Sequence, residues 1–139
     1  MESLDMAGHL IRRLHQHATQ VFVQRTQEAG YDLTPVQFAA LDAIHACPDT
    51  DQARVAEAIA YDRATIGGVI ERLEQKGWVR RVVSERDRRA RELSLTPEGR
   101  RVLLALLPVV RAAQDEILQS LSARDRARFL EMARQAIPQ

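Results

Sequence analysis

Residues 51–99 read DQARVAEAIAYDRATIGGVIERLEQKGWVRRVVSERDRRARELSLTPEG, and the punctuation of this stretch decides the fold. Residues 51–60 form a short helical pattern with apolar Val55, Ala56 and Ile59, and Asp51 stands at the N-cap. Asp62 is placed to cap a second helix over residues 63–76, with Ile66, Val69, Ile70 and Leu73 along one face. Gly77 follows at the usual position of a C-terminal glycine cap. Two short helices joined by a tight turn at Ala60 and Tyr61 have the dimensions of a helix-turn-helix.

The residues after Gly77 narrow the reading. Residues 78–84 are rich in β-formers, and residues 91–96 alternate Leu93 and Leu95 with polar Glu92 and Ser94. The tip between them, Glu85-Arg86-Asp87-Arg88-Arg89, is poor core material and good phosphate or minor-groove chemistry. A solvated turn whose arginines are held by Glu85, Asp87 and Glu92 is the bland alternative. Directly after a helix-turn-helix, the nucleic-acid reading outweighs it.

The run Ile70-Glu71-Arg72-Leu73-Glu74-Gln75-Lys76-Gly77-Trp78-Val79-Arg80-Arg81, then Asp87-Arg88-Arg89, then Leu93-Ser94-Leu95-Thr96-Pro97-Glu98-Gly99, resembles a MarR-family transcriptional regulator. The upstream Leu33-Thr34-Pro35-Val36-Gln37-Phe38 fits the same family, and the likeness covers essentially the whole chain. Within the family it is most similar to repressors of aromatic-acid and nicotinate catabolism. The resemblance implies a mainly α fold with a small β-hairpin wing, a winged helix-turn-helix flanked by dimerisation helices. It also implies that the chain ends interlock between two subunits.

Composition agrees with one small helical domain. The chain has 139 residues, with one Trp, two Tyr and three Phe, so its core must be aliphatic. A single domain is expected, with residues 33–96 as the winged helix-turn-helix and residues 1–29 and 97–139 as dimerisation helices. No run reaches a bilayer-spanning length and no signal-peptide pattern opens the chain, so a cytoplasmic protein without membrane contact is expected. The single Cys47 excludes an internal disulfide and a cysteine-rich zinc site. Net charge is only +1, but residues 80–91 hold six arginines against Glu85 and Asp87, a local +4 that leaves −3 elsewhere. A directed electrostatic contact follows from that distribution.

Along the chain, residues 4–27 carry Leu4, Ala7, Ile11, Leu14, Ala18, Val21 and Phe22 at helical spacing. Thr34, Pro35 and Gln37 make a helix start with a capping box, and Leu33 can staple onto Phe38. That helix presents Ala40, Leu41 and Ile44 inward and stops before Pro48, after which a short extra strand is possible near residues 49–52. Thr96 and Pro97 start a long helix whose apolar surface suits two neighbours, and Pro108 should bend it. Ser122 with Asp125 opens the last helix, with Phe129, Leu130 and Ala133 facing inward.

These placements assign roles on double-stranded DNA. Arg63, Ala64, Thr65 and Gly68 lie where a recognition helix reaches base edges. Gln52 and Arg54, opening the preceding helix, are phosphate contacts. Gly67 and Gly68 fit either close approach to DNA or close helix–helix packing. The resemblance places Arg89 in the minor groove with Asp87 orienting it, and Arg86 and Arg88 would add phosphate contacts. A two-fold homodimer implies a near-palindromic operator.

MarR-like proteins commonly respond to small anionic aromatics, so an aromatic or heteroaromatic acid, such as a hydroxybenzoate or hydroxynicotinate, is the expected effector of a repressor. His9, Arg13 and His17 share one helix face and can meet a carboxylate, and Phe38 can supply an apolar wall. Three other readings stay open. A redox sensor would rest on Cys47, which lies away from the first helix. A metal sensor would need His9, His15, His17, Asp42 and His45 to converge, although His15 and His17 point about 200° apart on a helix. A winged-helix protein-interaction module is the third. No cofactor is expected, and an enzyme is not, since phosphate-loop and serine-elbow motifs are missing.

Overall fold

The computed structural model describes residues 1–87 and 91–139. A 3-10 turn, Glu2–Asp5, precedes α1 (Ala7–Glu28) and α2 (Pro35–Ala46). The short α3 (Gln52–Ala58) and α4 (Ile66–Gln75) follow, then strands β1 (Val79–Val83) and β2 (Arg91–Leu95), α5 (Pro97–Ile117) and α6 (Ala123–Ala136). The first helix therefore starts later than its apolar pattern suggests, because residues 2–5 coil more tightly and Met6 is extended.

Local capping chemistry explains most boundaries. Thr34 and Gln37 form the full capping box at the start of α2, with Pro35 in its first turn. Asp51 accepts from the Arg54 amide at 2.9 Å to open α3, Thr96 from the Gly99 amide at 3.0 Å to open α5, and Ser122 from the Asp125 amide at 3.2 Å to open α6. The end of α4 is a glycine cap. Gly77 has φ +79°, its amide bonds the Glu74 carbonyl, and the Trp78 amide bonds the Leu73 carbonyl.

The end of α3 uses the same bonds with an unfavourable residue. Ala60 takes φ +54°, its amide bonds Glu57, and the Tyr61 amide bonds Ala56. A left-handed alanine costs about 1–2 kcal/mol, part of which glycine would return as a more flexible unfolded chain. Ala60→Gly is therefore expected to raise stability by about 0.5–1 kcal/mol, read as a higher denaturant midpoint at unchanged slope. A lower midpoint would contradict it.

The core sits in the middle of the chain. Leu41, Ile44, Val55, Ile66, Ile70, Leu73, Leu93, Leu103 and Leu106 are all essentially inaccessible, with Phe22 and Trp78 closing its ends. The two strands pair antiparallel with Val79 opposite Leu95 and Val83 opposite Arg91. Thr50 adds a single bridge to Leu93, its carbonyl accepting from the Leu93 amide at 2.6 Å. Only this bridge, and no extra strand, forms near residues 49–52, and it fastens the start of α3 to the wing.

One expectation needs correction, and a second feature of the terminal helices goes with it. The face Phe129, Leu130 and Ala133 does not turn into this chain's core; α6 buries none of its residues, and Leu130 is 45% exposed. Along α1, only Val21, Phe22 and Thr26 are buried, while Leu10, Ile11 and Leu14, with Leu4 of the preceding turn, stay exposed as surplus apolar surface. The physical reason is the same in both places: no other element of the single chain lies over these faces. α5 stays helical through Pro108, which lies on its exposed side.

The C-terminal parts of α1 and α5 are tied by a bidentate ion pair, with Arg25 Nη2 at 2.5 Å from Glu116 Oε1 and Nε at 2.7 Å from Oε2. The guanidinium holds the Glu116 carboxyl below the usual carboxylate range, first by hydrogen bonding and then by charge. With the folded-state value lowered, this contribution is present at neutral pH and is lost as pH falls through the lowered value.

Candidate nucleic-acid interface

Residues 63–65 do not belong to the recognition helix. Asp62 Oδ1 accepts from the Ala64 amide at 3.2 Å, while Thr65 Oγ1 donates to the Asp62 carbonyl at 3.2 Å. The side-chain bond to the next-but-one amide holds a turn in place of the first helical turn, and regular structure begins at Ile66. Arg63, Ala64 and Thr65 are exposed on that turn, immediately before the N-terminus of α4. Asp62 thus shapes the approach to the helix rather than capping it.

The two glycines next in line separate cleanly. A Cβ on Gly67 would lie 3.3 Å from the Gln52 side-chain amide, whereas one on Gly68 would meet nothing within 4 Å. Gly67 lets α3 and α4 pack closely, and Gln52 is half-buried over it. Among the described residues, nothing packs against Gly68 closely enough to require a glycine. Arg54 is 71% exposed and only 3.8 Å from Asp51, a weak contact in water that leaves its guanidinium free to reach outward.

The wing is held from its base. Arg81 Nε donates to Glu74 Oε1 at 2.7 Å, so one of the six local arginines braces β1 against α4 and leaves the basic patch. Ser84 is buried, and its hydroxyl accepts from the Arg86 amide at 3.2 Å and the Asp87 amide at 3.4 Å. This turn presents Arg86 and Asp87 at the surface. Arg88 and Arg89 lie outside the described residues. Neither the Ser84 turn nor the Glu74–Arg81 pair was foreseen from sequence. A serine directly before the charged tip is a readable turn signal, but the ion pair depends on how β1 docks.

The proposed effector residues are divided among separate contacts. His9 Nδ1 accepts from Arg12 Nη2 at 3.1 Å, and His17 Nε2 donates to the Ile117 carbonyl at 3.1 Å. Phe38 packs edge-on against Phe22 with ring centroids 6.0 Å apart. Arg13 is exposed.

Two short helices joined by an exposed turn and backed by a braced hairpin have the form of a DNA-binding module. Residues 31–90 match the profile of the MarR family. Over 130 residues the chain is 35% identical to the transcriptional regulator HosA of Escherichia coli, covering 94% of this chain and 93% of HosA. The chain belongs to the MarR family. It is also 34% identical over 133 residues to the transcriptional repressor NicR of Pseudomonas putida, covering 96% of this chain and 83% of NicR.

Solved members superpose over nearly the whole chain. Bordetella bronchiseptica BpsR, whose DNA binding is regulated by 6-hydroxynicotinic acid, is 29% identical with a TM-score of 0.87, covering 95% and 93% of the two chains. Streptomyces coelicolor PcaV with its natural ligand gives 31% identity and a TM-score of 0.84, covering 97% and 94%. The repressor CouR on a 23-mer DNA duplex gives 27% identity and a TM-score of 0.86, covering 96% and 94%. These structures share the fold of this chain over nearly its whole length. Among the described residues, no helix is long and apolar enough to cross a membrane.

Proposed function

We propose that this MarR-family chain acts as a homodimeric repressor that binds a near-palindromic double-stranded DNA operator and releases it when a small aromatic or heteroaromatic acid binds. The observation that carries the reading is a cluster of exposed residues outside the core: the turn Arg63-Ala64-Thr65, the open Gly68 and Arg54, all at adjoining helix N-termini. Helix N-termini suit phosphates, and the first residues of the second helix suit base edges. Residues 33–96 are the DNA module in this reading, and residues 1–29 and 97–139 the dimerisation helices. Arg86, Arg88 and Arg89 at the wing tip supply further phosphate or minor-groove contacts, with Asp87 orienting Arg89.

Gly68→Ala separates a DNA role from a packing role. Alanine should stabilise the fold by about 1 kcal/mol, because it improves helix propensity and meets no neighbour. If the α4 backbone approaches DNA at Gly68, the same variant weakens operator binding by roughly tenfold, the cost of one displaced close contact at about 1.4 kcal/mol. Thermal melting and fluorescence anisotropy on operator DNA read the two effects. A more stable protein with unchanged operator affinity would remove Gly68 from the interface.

The signal is assigned to the α1 face of His9, Arg13 and His17, with Phe38 nearby. BpsR, whose DNA binding is regulated by 6-hydroxynicotinic acid, supports an organic-acid effector by similarity, and PcaV with its natural ligand supports a small-molecule signal. An effector acts only through its different affinity for the two dimer states. A coupling of about 1–3 kcal/mol would lower operator affinity roughly 5- to 150-fold, and by reciprocity operator must lower effector affinity by the same factor. Titrating hydroxybenzoates and hydroxynicotinates with and without operator tests both directions. Equal binding of every acid to free and DNA-bound protein would reject the mechanism. Unchanged effector affinity in both Arg13→Ala and His17→Ala would move the site elsewhere.

A further inference from the structure

The wing leaves the core at one level along its length. Val79, Arg81 and Val83 alternate onto one face of β1. Val79 is 3% exposed and Val83 46%, so the cover over this face ends between them. Arg81 stands at that crossing, half-buried and directly opposite the buried Leu93. Past it the hairpin projects toward the tip with Val82 and Val83 both exposed.

Both strands are fastened at this same level. On the β2 side, the Leu93 amide donates to the Thr50 carbonyl, just before α3. On the β1 side, Arg81 Nε donates to Glu74 Oε1 in the last turn of α4. Among the described residues, this is the one side-chain hydrogen bond between α4 and β1. The first tie is backbone. The second joins two long side chains, each about one-third exposed, and one substitution can release it.

We infer that Glu74 and Arg81 are positioning residues for operator recognition. Their ion pair fixes the angle between α4 and the wing, and with it the span from the turn before α4 to the wing tip. The inference rests on the reading above that both ends of this span touch DNA. Two contacts on one rigid body engage together when their spacing matches the duplex, and a loose connection dilutes the second. Glu74 itself is an anion beside a DNA-binding surface, so its charge opposes binding. Charge alone therefore predicts tighter operator binding when Glu74 is removed, whereas positioning predicts weaker binding.

The test uses full-length protein, a duplex selected by the parent protein from a random-sequence pool as operator, and a scrambled duplex of equal length. In Glu74→Ala, operator affinity should fall roughly tenfold as the tip becomes loosely tethered. Affinity for the scrambled duplex should stay level or rise. The melting temperature should move by no more than about 4 °C, because a partly exposed ion pair contributes little to stability. The tip variant R86A/R89A should cost less operator affinity in the E74A background than in the parent, since the tip is already poorly placed. The charge swap E74R/R81E re-forms the pair at the parent's net charge and should return operator affinity to within about threefold of the parent. Operator affinity at or above the parent's in E74A, tip losses that simply add, or a folded swap as weak as E74A would each overturn the inference. A tip variant that binds operator like the parent would strike the wing-tip reading itself, and this inference with it.

Discussion

Gly99→Ala should destabilise the protein by about 3 kcal/mol or more, which for a chain of this size lowers the melting temperature by about 10 °C or more. A Cβ at Gly99 would lie 2.0 Å from the Trp78 carbonyl oxygen and 2.7 Å from its carbon. The obstacle is backbone, so no rotamer change relieves it. That backbone is also held in place: the Thr96 amide bonds the Trp78 carbonyl at 3.0 Å, and Thr96 Oγ1 donates to the Gly77 carbonyl at 2.6 Å. Moving α5 away would stretch both of these bonds, each worth about 1 kcal/mol. The loss is a large part of the 5–15 kcal/mol that usually holds a domain together. Gly68→Ala is the matched control, because its new methyl meets open space. A Gly99→Ala melting temperature within about 2 °C of the parent would mean that the first turn of α5 yields easily.

Gly99 also marks where sequence reading stops. Helix starts at Thr34, Asp51, Thr96 and Ser122 were readable, because each depends on a hydroxyl or carboxylate three residues before the amide it caps. Gly77 was readable because a left-handed cap favours glycine. Ala60 takes the same conformation with nothing in its side chain to announce it. Asp62 was misplaced because an aspartate before a helix can either cap it or hold a turn, and two glycines downstream weaken the helical alternative. The close approach of Gly99 to Trp78 requires the hairpin to fold back, which no local spacing encodes.

The candidate site divides the same way. The proposed DNA contacts cluster within one stretch of sequence, so local signals are enough to nominate them. The effector face could not be assembled from periodicity alone. A shared helix face places His9, Arg13 and His17 in register, but their contacts diverge: His9 bonds its neighbour Arg12, whereas His17 reaches Ile117, a separation of 100 residues. Long-range docking decided that last contact, just as it placed Arg25 on Glu116 across 91 residues.

Ile11→Glu should convert the dimer to monomers and abolish tight operator binding. Ile11 is 65% exposed in the single chain, beside exposed Leu10 and Leu14 on α1, and the distal helix adds exposed Leu130 and Met132. Large apolar residues gathered on the two terminal helices, while the core closes without them, are what a two-fold partner would cover. Symmetry introduces each substitution twice. At about 2 kcal/mol for each unpaired polar group buried, the dimer loses roughly 4 kcal/mol, a near-thousandfold rise in its dissociation constant. A monomer engages one half-site and forfeits the linkage that makes the second contact intramolecular, so operator affinity should fall by roughly 10²- to 10⁴-fold. The winged module should stay folded, because Ile11 contributes nothing to its core. Sedimentation at micromolar concentration reads the first effect, operator titration the second, and circular dichroism the third. A variant that remains dimeric would place the interface off the N-terminal half of α1. One that becomes monomeric yet binds operator with parental affinity would show that a single module suffices for recognition.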